Sequence, residues 1–369
     1  MSSQLINHIE YCVGNALQAS FWYCTSFGFE RFAQKRTKFI FSIAVRNGNS
    51  ILVFSSPNSP SEPNLTHLLS IHGDFVHKIG LKVDNLRKFV QIADQKSIKI
   101  IEQVESEQDE NGEILQARIQ GSSGHIEYEI FENVNYNGVF LPGFEEIQNF
   151  GFCESLPPIS ISGIDHFVEA HESGSVDSVV DWYNKVLKFE RFWSIDDTQV
   201  HTEYSALKAA LVANKERNIQ VTLVEPVQTE KKGRGQVQEF LDFNSGPGIQ
   251  HIAFVVDDII EAVAEMKKRS VEFLSIPSEY YDNIEKRLEK SGLKIKEDME
   301  KIREGQLLID FDEKGYLIQC FTKPVQPRPT FFIEIIKRNN FNGFGAGNFK
   351  ALFEAVELEQ RKRGTLLRD

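Results

Sequence analysis

Cysteine is scarce. The chain of 369 residues has four, Cys12, Cys24, Cys153 and Cys320. They form no CxxC pair and no dense framework, which argues against a disulfide-stapled fold and for reduced thiols in a cytoplasmic protein. Positive charge is short as well. The formal net charge is −12, and no basic stripe interrupts it, which disfavours nucleic acid and anionic membranes as partners. The short run Lys231-Lys232-Gly233-Arg234 is broken by glycine and reads as a solvated loop. Long apolar runs are missing, and none approaches the roughly 20 residues of a membrane span. The opening Met1-Ser2-Ser3-Gln4-Leu5 lacks a basic segment followed by an apolar one, so the expectation is a cytoplasmic location without a targeting signal.

What is present is a globular composition. Hydrophobic residues make up 41% and charged residues 25%, enough for a sizeable core. The length suits two or three ordinary domains. Phenylalanine is abundant at 29, which fits an aromatic-lined core or pocket.

The chain repeats itself. Trp22-Tyr23-Cys24-Thr25-Ser26-Phe27-Gly28-Phe29-Glu30-Arg31-Phe32 shares its Trp, Tyr, Glu and Arg and two of its Phe with Trp182-Tyr183-Asn184-Lys185-Val186-Leu187-Lys188-Phe189-Glu190-Arg191-Phe192. Each copy reads as the end of an amphipathic helix turning into a strand, and each follows a strand with one histidine, His8 or His166. Ile79 to Asp84 parallels Ile252 to Asp257, and Asn137-Gly138 parallels Asn342-Gly343. The expectation is an α+β chain of two related domains, 1–150 and 160–340, followed by a C-terminal segment, 341–369, with an amphipathic helix over 350–363. The joint falls in the Pro-, Gly- and Ser-bearing stretch from Pro142-Gly143 to Pro157-Pro158. Asn58 to Pro63 reads as an exposed loop, and the charged run from Asn283 to Arg303 as a solvated helical insertion broken at Gly292.

Three apolar strands carry one ionisable group each. Gly163-Ile164-Asp165-His166-Phe167-Val168 holds His166, Gly248-Ile249-Gln250-His251-Ile252-Ala253-Phe254 holds His251, and Phe331-Phe332-Ile333-Glu334-Ile335-Ile336 holds Glu334. A lone histidine on such a strand is ordinarily a satisfied core residue. A buried unpaired carboxylate, however, costs several kcal/mol or more, so Glu334 must be neutralised, paired or bound to a cation. Two imidazoles and one carboxylate match the facial triad of non-haem Fe(II) oxygenases. The first half places His8 opposite His166 and Glu129 opposite Glu334, but Lys78 opposite His251. A charged ammonium cannot ligate, so the first half reads as a structural copy.

These residues, with Arg191-Phe192-Trp193-Ser194-Ile195-Asp196-Asp197, His201-Thr202-Glu203-Tyr204-Ser205, Asp312-Glu313-Lys314-Gly315-Tyr316-Leu317 and Gly343-Phe344-Gly345-Ala346-Gly347-Asn348-Phe349, resemble the 4-hydroxyphenylpyruvate dioxygenase family. Val13-Gly14-Asn15-Ala16 and Phe140-Leu141-Pro142-Gly143-Phe144 extend the resemblance into the first half. It implies a duplicated vicinal oxygen chelate fold, βαβββ modules forming two open half-barrels with a C-terminal gating helix. It implies Fe(II) on His166, His251 and Glu334, 4-hydroxyphenylpyruvate and O₂ as substrates, homogentisate as product in tyrosine catabolism, and a homodimer or homotetramer. It further implies pocket hydrogen bonds from Gln236, Gln250 and Gln319, aromatic packing from Phe321, Phe332, Phe344 and Phe349, and a gate anchored by Asn348.

The chain also departs from that pattern. Ala209 stands where the family carries Ser, and Thr222-Leu223-Val224-Glu225-Pro226 replaces its Pro-x-Asn-Glu-Pro, so that Val224 stands for Asn. Ala209, Thr222 and Val224 together suggest a greasier pocket, closer to that of 4-hydroxymandelate synthase. That relative uses the same substrate and iron but hydroxylates the benzylic carbon. A catalytically silent binding protein is the third reading, which the intact triad opposes. The loop Gln34 to Lys38 is shorter than the family's.

Overall fold

The structure is a computed structural model that describes residues 4–195, 206–227 and 233–367. Asp196-Asp197, His201 to Ser205 and Lys231-Lys232, quoted above, lie outside the described residues. The first half runs β1 (Gln4–Cys12), α1 (Ala16–Phe27), β2 (Glu30–Arg36), β3 (Ile40–Asn47), β4 (Ser50–Pro57), α2 (Pro63–His72), β5 (Phe75–Val83), α3 (Leu86–Gln95), β6 (Ile100–Asp109), β7 (Gly112–Gln120), β8 (Glu127–Asn133) and β9 (Glu145–Glu146). After α4 (Gly151–Glu154) come β10 (Ile161–Ala170), α5 (Val176–Val186), β11 (Glu190–Ile195), β12 (Ala206–Ala213), β13 (Gln220–Val227), α6 (Gln236–Asn244) and β14 (Gly248–Val256). The chain continues with α7 (Ile259–Lys268), α8 (Ser278–Ser291), α9 (Met299–Gly305), β15 (Leu308–Phe311), β16 (Tyr316–Phe321), β17 (Phe332–Asn339) and α10 (Phe349–Arg363).

Two sheets result, ordered β6-β7-β8-β5-β1-β4-β3-β2-β9 and β11-β12-β13-β10-β14-β17-β16-β15. Each is a pair of βαβββ modules joined through an antiparallel central pair, β1 with β5 and β10 with β14. The α+β, duplicated architecture expected from the repeat is present. The local signals are those of the sequence. Asn15, Asn85 and Asp258 cap α1, α3 and α7 by accepting a backbone N–H of the first turn. Gly28 ends α1 at φ 70°, a left-handed conformation that glycine adopts without strain. The central strands are covered on both faces, so β14 and most of β17 are apolar without alternation.

The halves share one continuous core. Phe29 meets Phe254 edge to face at 5.7 Å, and Asn47 Nδ2 donates to the carbonyls of Phe27, Gly28 and Ile159. The charged stretch predicted as an insertion is α8 and α9, and it begins earlier than expected, at Ser278. Its charges face outward while Tyr281, Ile284, Leu288 and Ile302 enter the core. Gly292 closes α8 at φ 73°. No helix among the described residues is long and apolar enough to cross a membrane.

Candidate active site

The register of the second sheet brings the three ionisable strand residues together. His166 on β10 lies opposite Ala253 on β14, and Ala253 lies opposite Glu334 on β17; His251 follows two residues before Ala253 on the same face. Glu334 Oε2 sits 3.3 Å from His166 Nε2 and 3.5 Å from His251 Nε2. The ligand atoms of all three lie within 4.8 Å of one another, and all three residues are buried.

The outer nitrogens of both rings are already engaged. His166 Nδ1 is 2.7 Å from Asp165 Oδ2, and His251 Nδ1 is 3.3 Å from Gln250 Oε1. Those contacts turn both Nε2 atoms toward Glu334. Arg338 in turn grips Asp165 with two bonds, Nε to Oδ1 at 2.7 Å and Nη2 to Oδ2 at 2.8 Å. Its Nη1 donates to the carbonyls of Phe341 and Gly343, and its guanidinium lies 5.8 Å from the centre of the Phe344 ring. One side chain thus links the loop that bears Phe344 to the orienting carboxylate of His166.

Electrostatics favour a cation between the three. Burial alone would lower the His166 pKa, but the Glu334 and Asp165 carboxylates outweigh it and raise it to about 9. Burial lowers that of His251, aided by His166 and only partly offset by Glu334. Burial would raise the Glu334 carboxyl, yet the two imidazoles hold it below its ordinary value. Glu334 Oε1 is buried without any hydrogen-bond partner. A buried carboxylate with one oxygen beside two Nε2 atoms and the other unpartnered, a nitrogen, nitrogen and oxygen set, fits a divalent metal, and the residues present suit non-haem iron.

The cavity over this group has about 50 Å³ of free space, room for only a few water molecules. His166, His251 and Glu334 form its floor. Gln236, Gln250, Gln319, Phe321, Phe332, Phe344 and Phe349, all expected from the resemblance, line it, as do Thr222 and Val224. Phe332 stacks on His251 at 4.5 Å. Gln319 Oε1 is buried and unpartnered, and Gly345 presses on that amide at φ 73°, where a Cβ would come within 2.4 Å. Two of the residues named from the resemblance do not line the cavity. Asn348 is fully buried at the start of α10, accepting from the Tyr280 hydroxyl at 2.8 Å, and is not part of the wall. Ala209, placed beside the substrate by the resemblance, does not line the cavity; it belongs to one apolar cluster with Val168, Leu207, Val224 and Phe353, which do.

The wall also contains Val168, Leu207, Leu352 and Phe353, which the sequence reading did not single out as site residues. Val168 was within reach, since it follows His166 by two residues on a strand. Leu352 and Phe353 belong to α10, which closes over the cavity. Its C-terminal end is latched. Arg363 and Thr365 bond to the Glu239 carboxylate, Gln360 Nε2 donates to the Arg234 carbonyl at 2.6 Å, and Arg234 N donates to Leu366 O at 2.7 Å.

The first half repeats the geometry with different chemistry. His8, Glu10 and Glu129 cluster as the triad does, but Lys78 Nζ lies 3.0 and 3.1 Å from the Glu10 oxygens.

A family model for the Glyoxalase/Bleomycin resistance protein/Dioxygenase superfamily matches residues 163–285. A putative protein of Caenorhabditis elegans is 47% identical over 99% of this chain and 99% of its own. A 4-hydroxyphenylpyruvate dioxygenase of the same organism is 44% identical over 98% of this chain and 93% of its own. Among solved structures, a triple mutant of 4-hydroxymandelate synthase from Streptomyces coelicolor superposes with a TM-score of 0.82 at 28% identity, covering 98% of this chain and all of that one. With near-complete coverage at such identity, and with the buried His-His-Glu group under its aromatic wall, the chain belongs to the 4-hydroxyphenylpyruvate dioxygenase family.

Proposed function

We propose that the protein is an Fe(II)-dependent dioxygenase that oxidatively decarboxylates 4-hydroxyphenylpyruvate and hydroxylates its ring to homogentisate. The observation that carries the reading is the buried Glu334 carboxylate at the foot of an aromatic pocket, its Oε2 3.3 and 3.5 Å from two Nε2 atoms and its Oε1 without any partner. His166, His251 and Glu334 would hold the metal, which supplies a template for the 2-keto acid and the redox chemistry of dioxygen. The second half, 160–340, would then carry catalysis on the support of the first, 1–150, with 341–369 as the gate.

The chain's own residues do the rest. Asp165 engages His166 Nδ1, so that Nε2 points inward at Glu334, where a bound metal would replace the proton that the two carboxylates hold on the ring. Gln250 and Gln319 present amides to the polar head of the substrate, and Phe321, Phe332 and Phe344 enclose its ring. The Phe349, Leu352 and Phe353 side chains fill space that an aryl pyruvate needs, so α10 must withdraw on binding and return to exclude water.

A second reading keeps the substrate and moves the oxygen to the benzylic carbon, giving 4-hydroxymandelate. Its support is the apolar wall around Val224, which leaves few groups to fix the phenol. Both reactions consume one O₂ and release one CO₂, so uptake alone does not separate them. The test is to load the protein with Fe(II), supply 4-hydroxyphenylpyruvate, measure O₂ uptake and identify the acid formed by mass spectrometry and NMR. Homogentisate supports the first reading and 4-hydroxymandelate the second. Absence of uptake in fully loaded protein overturns both.

A further inference from the structure

A second cavity, which shares no lining residue with the one over the triad, lies on the helical side of the first sheet where the two halves meet. It offers about 160 Å³ and is lined by Tyr11, Val13, Ala19, Trp22, Tyr23, Phe54 and Asp74 from the first half and Val325, Gln326 and Phe331 from the second. At roughly 15 Å³ per water-sized volume, that is space for about ten heavy atoms.

Symmetry between the halves shows that the space is unusual. Tyr11 pairs with Phe54 across β1 and β4, and Glu169 pairs with Leu223 at the matching register of β10 and β13. Around Glu169 the second half is filled by hydrogen bonds. Tyr183 donates to Oε1 at 2.6 Å, His171 Nε2 lies 3.0 Å from Oε2, and Ser123 reaches His171 Nδ1 at 2.8 Å. Around Tyr11 no such network forms. Tyr11 is 3% exposed and its hydroxyl has no hydrogen-bond partner. Burial raises the Tyr11 pKa, helped by the nearby Tyr23 hydroxyl, which approaches that of Tyr11 without a well-formed hydrogen bond. A buried hydroxyl left alone costs roughly 1–3 kcal/mol, so it marks a place where a polar group belongs.

The remaining walls say which group. Aromatic rings cluster around the cavity: Phe54 stacks on Tyr11 at 5.2 Å, Phe331 meets Tyr11 edge on at 5.5 Å, and Trp22 packs against Tyr23 at 5.0 Å. Asp74 is exposed and sits at the rim. Its Oδ1 accepts from Gly14 N at 2.8 Å, and no cation among the described residues acts on its carboxyl. Gln326 spends its Nε2 on the Asp74 carbonyl and Thr330, leaving its Oε1 as a further acceptor. Ring faces, a free carboxylate oxygen and acceptors complement a cation with an apolar body, whereas a carboxylate ligand would be repelled.

We propose that this cavity is a second ligand site, distinct from the iron pocket, that takes a small arylalkyl ammonium ion with its nitrogen toward Asp74 and Tyr11. The site does not depend on the dioxygenase reading.

Calorimetry with phenethylamine, protonated at neutral pH, tests it on the full chain. One saturable site per chain is expected. The neutral isostere 2-phenylethanol should bind at least tenfold more weakly. Asp74→Asn keeps an acceptor for Gly14 N–H and should weaken the amine at least tenfold. Ala19→Leu fills the cavity and should abolish binding. Both variants should retain the unfolding midpoint and the O₂ uptake of the parent. Equal affinity for the alcohol, unchanged affinity in Asp74→Asn, or no saturable heat up to the solubility of the amine overturns the proposal.

Discussion

Lys78 and Glu10 face each other across β5 and β1 at the register position that His251 and Val168 occupy across β14 and β10. The ammonium stands where the second half would hold a metal, already tethered to the chain, and Glu10 replaces an apolar valine to receive it. Glu129, opposite Glu334, meets His8 Nε2 at 3.4 Å. The first half therefore holds an internal cation in place of an exchangeable one.

The first prediction follows from that replacement. Metal stoichiometry should be one per chain and should stay so in His8→Ala and Glu129→Ala, as measured by atomic emission after gel filtration. Lys78→Met, in contrast, leaves two carboxylates facing each other in the interior. Breaking a buried pair from one side costs about 3–5 kcal/mol, so a loss near 3 kcal/mol in urea unfolding is expected. Replacing Glu10 by Leu in the same variant should recover most of it. A second equivalent of metal in the parent protein would contradict the assignment.

The acid limb of stability is the second. Burial would raise the Glu129 carboxyl, but the His8 bond and the Lys78 ammonium bring it from an ordinary 4.5 down to about 2. A depressed carboxyl contributes stability above its unfolded pKa, and that contribution disappears as pH falls through the folded one. Unfolding free energy should therefore drop between about pH 4.5 and pH 2. Lys78→Met should shift the onset of this drop to higher pH, and an unchanged acid limb would show that Lys78 does not hold Glu129 ionised.

The metal centre supplies the third. His166→Ala, His251→Ala and Glu334→Ala should each abolish O₂ uptake, since three ligands leave none to spare. Asp165→Asn tests orientation instead. It keeps the shape but removes the charge that Arg338 grips and that His166 donates to. Outer partners of this kind are worth roughly 10–100-fold in metal affinity. Competition titration with a chromophoric chelator should show that loss in Asp165→Asn with the fold intact, and unaltered affinity would mean that Asp165 does not position His166.

The triad was legible because each member stands alone among apolar strand residues, where a charge has no bland explanation. The paired modules were legible from the Trp-Tyr and Glu-Arg-Phe repeat, and α10 from Leu352 and Phe353 among charges. Arg338 was not, because an arginine near the end of a strand reads as solvated until Asp165, far away in the chain, is seen beside it. Asn348 was expected at the gate, but its partner Tyr280 comes from the charged α8, where nothing distinguishes one tyrosine from another. Ala209 shows the limit of reading a site position by position. It faces Val224 across β12 and β13, yet Val224 reaches the cavity and Ala209 is covered.

That difference shapes the last prediction. If the two departures acted together, restoring both polar groups would steer the substrate. The geometry separates them. Val224 lines the pocket, so Val224→Asn introduces an amide where a phenol or a keto acid can meet it. A new substrate hydrogen bond is worth about 0.5–1.5 kcal/mol, which corresponds to a two- to tenfold fall in KM. With the ring held by one more contact, the product ratio should move toward homogentisate. Ala209→Ser instead buries a hydroxyl among Val168, Leu207, Val224 and Phe353. An unbonded hydroxyl there should lower stability by about 1–3 kcal/mol and leave KM alone. In the double variant the new asparagine is the cross-strand neighbour of the serine and can bond it, so stability should recover while part of the KM gain is lost. Steady-state kinetics, product ratios and thermal unfolding of the two single variants and the double variant check each step. A KM change in Ala209→Ser equal to that in Val224→Asn would show that position 209 reaches the substrate after all.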